Sequence, residues 1–138
     1  MSDEALVQSL HSMGISRENA RALALLPLVE VAWSDGRVQA SEHHLIGKLM
    51  DEPYRLTDEG KRLVEDWLQY SPSMTYYRSG RTLLIALASR GIGLDMTLLD
   101  QVVDHAVEVA RSSGGLFGWR AITPEKREVL ESLAKEIT

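Results

Sequence analysis

The chain has 138 residues, 44% of them hydrophobic and 25% charged, with 15 Lys and Arg against 20 Asp and Glu, a formal charge of −5 and no cysteine. That length supports one domain with a core large enough to need no covalent staple. The lack of cysteine excludes a disulfide framework, a thiolate zinc centre, an iron–sulfur cluster and a cysteine nucleophile. An acidic chain without a basic block is also a poor match for nonspecific nucleic-acid binding, which draws on a Lys/Arg-rich surface.

The first residues, Met1-Ser2-Asp3-Glu4, are acidic where a secretory leader would be basic. The longest uncharged apolar runs, residues 22–29 and 82–89, are far shorter than the roughly 20 residues that span a bilayer. The expectation is a cytoplasmic protein with no direct membrane insertion.

Apolar residues recur at helical spacing throughout, as in Leu63, Val64, Trp67 and Leu68, or Leu99, Val102, Val103, Ala106 and Val109. No long run alternates with period two, so the fold class is all-α. Ser16, Thr57, Ser71, Asp95 and Thr123 stand where N-caps belong, with Pro72 and Pro124 at first helical positions. Gly14, Gly36, Gly80, Gly91 and Gly114 each follow an apolar stretch and read as C-terminal stops. These signals predict seven or eight helices, near residues 3–12, 17–34, 40–51, 57–70, 72–79, 81–90, 95–112 and 123–137. Short connections place successive helices side by side in one domain.

An internal repeat organises the prediction. Val29-Glu30-Val31-Ala32 recurs as Val107-Glu108-Val109-Ala110 at an offset of 78, and the apolar positions upstream coincide. The match resumes at an offset of 84, where Leu45, Ile46, Leu49 and Met50 face Val129, Leu130, Leu133 and Ala134. Two helix-loop-helix halves, about residues 17–50 and 95–137, with bridging helices over 57–90, imply an approximate two-fold relation.

The first loop, Trp33 to Glu42, matches the second half of an EF-hand loop, with Asp35-Gly36, the aliphatic Val38 and Glu42 six residues after the glycine. The first half is missing, because Val31 and Trp33 fall where oxygen ligands are required. Asp35 and Glu42, with Glu30 one turn earlier, remain candidate oxygen ligands for another metal site. The alternative for Glu42 is a capping role at the third helical position after Gln39. Glu30 lies among Leu26, Val29, Val31 and Trp33 and is either a buried, partnered carboxylate or a site residue. In the second half Ser113 replaces Asp35 and Lys126 replaces Glu42, which argues against two equivalent sites. Asp100, Asp104 and Glu108 form one helical stripe beside His105 and read as a solvated face.

The run Val29-Glu30-Val31-Ala32-Trp33-Ser34-Asp35-Gly36-Arg37-Val38 with Glu42, and the degenerate copy ending Ile122-Thr123-Pro124-Glu125, resembles the TerB-like family over residues 17–137. That family includes the bacterial tellurite-resistance protein TerB and a domain of DjlA-type co-chaperones. The resemblance implies a compact helical fold with two related halves and a cytoplasmic stress-response role near membrane-associated protein partners. It also implies a divalent cation (calcium, magnesium or manganese) held by Asp35 and Glu42 with Glu30.

Catalytic signatures are sparse. His43 and His44 are adjacent and so point about 100° apart, His11 and His105 are isolated, and there is no phosphate-binding Gly loop or nucleophile elbow. The expectation is a noncatalytic module for protein contacts; the alternative is a small metal-dependent hydrolase using the acidic and His residues around the first loop. For contacts, the six extra residues of the second loop fall in Ser113-Gly114-Gly115-Leu116-Phe117-Gly118-Trp119-Arg120. Leu116, Phe117, Trp119 and Arg120 are therefore candidate partner-binding residues, the alternative being a lid over the core.

Overall fold

The computed structural model describes residues 1–113 and 122–137. The described elements are all helical: α1 (Asp3–Ser12), a 3₁₀ segment (Arg17–Leu25), α2 (Leu26–Trp33), α3 (Ala40–Asp51), α4 (Asp58–Gln69), α5 (Met74–Arg90), α6 (Met96–Ser112) and α7 (Pro124–Ile137). Every residue from 22 to 32 is buried. A helix buried all round must be central, and α2 packs against the 3₁₀ segment and α3, α4, α5, α6 and α7. Its apolar run is thus the axis of the domain. Among the described residues no helix is long and apolar enough to cross a membrane.

Local chemistry sets the helix ends. Ser2, Thr57, Ser73 and Asp95 accept from the backbone amides of Ala5, Gly60, Tyr76 and Leu98, as N-caps do. Gly36 and Gly91 take the positive φ of helix ends, 97° and 68°. α2 and α6, the helices the repeat pairs, pack together, with α2 also touching α7 and α6 also touching α3.

Two boundaries differ from the sequence reading. Residues 17–34 are not one α-helix, because Asn19 leaves helical geometry (φ −106°, ψ 15°) and its side chain is committed to Ser16 and Thr57, leaving a 3₁₀ segment before α2. Residues 72–79 and 81–90 are not two helices. Gly80 lies inside α5, where a Cβ would stand 2.4 Å from Leu26 Cδ2. It permits a close helix crossing and does not stop the helix. Accordingly the cap is Ser73, not Ser71. The segment carrying Leu116, Phe117, Trp119 and Arg120 lies outside the described residues.

Candidate functional site

Three of the acids singled out in the sequence are placed by α2, the Asp-Gly turn and the start of α3. Asp35 and Glu42 come together, and what joins them is Lys126 from the first turn of α7. Its Nζ stands 2.9 Å from Asp35 Oδ2 and 3.4 Å from Glu42 Oε2, with Lys126 and Glu42 fully buried. Glu42 also accepts from the Gln39 amide at 2.8 Å, so the capping role and the ion pair are served by the two oxygens of one carboxylate. Burial pushes the Glu42 carboxyl above its ordinary value, with the Gln39 hydrogen bond and the Lys126 ammonium pulling back. Asp35 Oδ1, Glu42 Oε2 and Lys126 Nζ are buried without a well-aligned hydrogen bond. The contact is therefore chiefly ionic, in a medium where unpaired charge is expensive.

Glu30 is elsewhere. It pairs with Arg81 of α5, Nη2 to Oε1 2.8 Å, with 9% and 7% side-chain exposure. Arg81 Nη1 continues to Ser132 Oγ at 2.9 Å and Glu136 Oε2 at 3.2 Å, both on α7. The pair forms the floor of a cleft of about 750 Å³ between α2, α5 and α7. Trp33, Pro72, Met74, Tyr77 and Val129 supply apolar surface, and Glu125, Glu128 and Glu136 form one wall along α7. Four carboxylates line the cleft against the guanidinium groups of Arg78 and Arg81. Burial pushes the Tyr77 phenol up to about 12, offset in part by its hydrogen bond with Ser71.

The histidines are dispersed. His43 Nε2 meets Glu65 at 2.8 Å on an exposed surface, and His105 Nδ1 meets the buried Tyr54 hydroxyl at 2.6 Å. Burial lowers the His105 pKa against the opposing pull of Glu108 and Asp104. His105 is thus an inward-facing neighbour of a stripe whose acids, Asp100, Asp104 and Glu108, are exposed. Among the described residues no group of three or more His, Asp or Glu side chains is arranged to hold a metal ion.

Sequence reasoning missed both buried cations. Arg81 carried a legible signal: once α5 is read through Gly80, residues 77, 80, 81, 84, 87 and 88 form a single buried stripe with Arg81 inside it. Lys126 carried one too, since the repeat alignment sets it opposite Glu42, a base where the other half has an acid. Comparison with known proteins adds no relative: no family model matches, and neither a curated protein nor a solved structure is significantly similar.

Proposed function

We propose that this chain is a noncatalytic, TerB-like helical module that docks a protein partner, in a stress-response pathway of the tellurite-resistance type. The observation that supports the docking role is the α2–α5–α7 cleft, whose apolar surface and acidic wall match a partner segment carrying both apolar and basic side chains. Glu125 and Glu128 are exposed and form no ion pair among the described residues, so a basic partner meets unspent negative charge. The Gly-rich segment with Leu116, Phe117, Trp119 and Arg120 precedes Pro124 and Glu125 in sequence by a few residues, and it is a second proposed contact.

The test is fluorescence anisotropy with synthetic amphipathic peptides of equal length and basic, neutral or acidic character. The basic peptide should bind saturably and weaken with salt, and Glu125→Lys/Glu128→Lys should abolish binding without altering the thermal transition. Equal binding of all three peptides, or an unaffected charge-reversal variant, would overturn the reading. The stress-pathway part is tested by deleting the gene from its host and measuring growth under tellurite. Unchanged growth would refute it.

A role for a divalent cation follows as a proposal of a narrower kind. Asp35 and Glu42 are hard oxygen donors suited to calcium, magnesium or manganese, but the Lys126 ammonium already bridges them. A cation would therefore act by displacing Lys126 and loosening the start of α7. Calorimetric titration of the wild type and of Asp35→Asn/Glu42→Gln decides it, because heat that persists in the double variant arises elsewhere.

A further inference from the structure

On the opposite side of the 3₁₀ segment from the core, three arginines converge on one depression. Arg17, Arg21 and Arg55 line a space of about 470 Å³ together with Glu18 and Gly93. A neighbouring space of about 340 Å³ shares Arg21 and Arg55. Within the first space three arginines face one glutamate, while Glu52 and Asp95 line the second.

The arrangement is built from three separate parts of the chain. Arg17 and Arg21 lie four positions apart on the 3₁₀ segment, Arg55 comes from the connection after α3, and Gly93 from the loop after α5. Gly93 has φ +76°, and a Cβ there would stand 2.5 Å from Ala20 Cβ, so that loop is held tightly against the segment bearing the arginines. Its carbonyl oxygen accepts from Arg21 Nε at 3.4 Å. Arg55 has a positive φ of 49°, a conformation uncommon for a residue with a side chain. Arg17 and Arg21 form no ion pair among the described residues, and Arg55 meets Glu52 in an exposed pair at 3.1 Å. The other nearby acids are Glu18 on the rim and Asp95, whose carboxylate caps the Leu98 amide at 3.0 Å. The first turn of the 3₁₀ segment is not capped by Ser16, whose hydroxyl accepts from Asn19 Nδ2 instead.

We propose that this depression is a binding site for a small phosphate-type anion, held by the guanidinium groups of Arg17, Arg21 and Arg55. Guanidinium forks match phosphate oxygens in pairs; Arg17 and Arg21 have no carboxylate partner among the described residues, and an anion would draw Arg55 from its exposed pair with Glu52. This site is independent of the α2–α5–α7 cleft. Its test is calorimetric titration of the full chain at low ionic strength with pyrophosphate, inorganic phosphate and phosphoserine. One saturable site is expected, weakened about tenfold or more in Arg17→Gln/Arg21→Gln and in Arg55→Gln, since a hydrogen bond to a charged group is worth that much. Glu18→Gln should tighten it. Preference for pyrophosphate would assign the ligand as a polyphosphate, and parity with phosphoserine would assign it as a monoester. No saturable binding, or equal binding by variants with unchanged thermal transitions, would overturn the site.

Discussion

Replacing Lys126 by Met tests the ionic centre most directly, because it removes the ammonium and keeps most of the volume. In the folded protein Lys126 and Glu42 are fully buried and Asp35 is 20% exposed, at 3.4 and 2.9 Å from the ammonium. Without Lys126 two carboxylates are left facing a position with no cation. Breaking a buried pair in this way costs about 3–5 kcal/mol, a large share of the roughly 5–15 kcal/mol that stabilises a domain. Urea denaturation followed by circular dichroism should show that loss as a lower midpoint with an unchanged slope. Adding Asp35→Asn and Glu42→Gln to Lys126→Met should recover most of it, since no charge then remains unpaired. The loss should also depend on pH. Glu42 already titrates above its ordinary value of 4.5 because it is buried, and losing the ammonium raises it further. A raised folded-state carboxyl favours folding below the unfolded value and loses that advantage as pH rises through the folded one. The penalty of Lys126→Met is therefore smaller near the ordinary carboxylate pKa than at neutral pH. A cost below about 1 kcal/mol at neutral pH, the range of exposed pairs, would refute the reasoning.

The same logic applies to Arg81→Met, which strands Glu30 in the core and should cost about 3–5 kcal/mol by denaturant titration, with Glu30→Gln restoring part of it. His105 favours its neutral form because it is buried, so the unfolded chain binds more protons and stability should fall as pH drops through the ordinary imidazole range. That component should vanish in His105→Gln, and thermal melts across pH would show it; an unchanged profile would remove the assignment. Gly93→Ala places a methyl group against Ala20 Cβ at a positive φ and should cost about 2 kcal/mol. Hydrogen exchange offers a local readout. Lys126→Met should speed exchange in α7 more than in α2, and a uniform rise would contradict an anchoring role for Lys126.

What the sequence made legible was whatever is decided within one turn of chain. Thr57 and Asp95 act as caps because their side chains reach an amide three residues on, and that relation depends on local spacing alone. Gly36 and Gly91 end helices for an equally local reason, their positive φ. Gly80 shows the limit. Its lack of a side chain serves Leu26, more than fifty positions away, and no local pattern separates a glycine that ends a helix from one that admits a neighbour. The acids of the first loop read as oxygen ligands for a metal or, for Glu42, as a cap and, for Glu30, as a buried partnered carboxylate, and the structure pairs them with two separate cations. Arg81 and Lys126 were not legible as partners, because they lie on α5 and α7 and only helix packing brings them to Glu30, Asp35 and Glu42.

The two buried cations share a consequence for α7. Lys126 ties its first turn to the Asp35 turn and to α3, while Arg81 ties Ser132 and Glu136, in its second half, to α5 and through Glu30 to α2. α7 carries an apolar stripe, Val129, Leu130 and Leu133, but only Leu130 and Leu133 are fully in the core. Apolar contact is roughly nondirectional and would tolerate a helix that slides or turns. Ionic contacts at two levels fix its axial position and its rotation. The face that rotation leaves outward carries Glu125 and Glu128, the acids walling the cleft. The Lys126 centre and the Glu30–Arg81 pair at the cleft floor thus hold the acidic wall in place, so that ion pairs that are costly to bury contribute geometry to the surface above them.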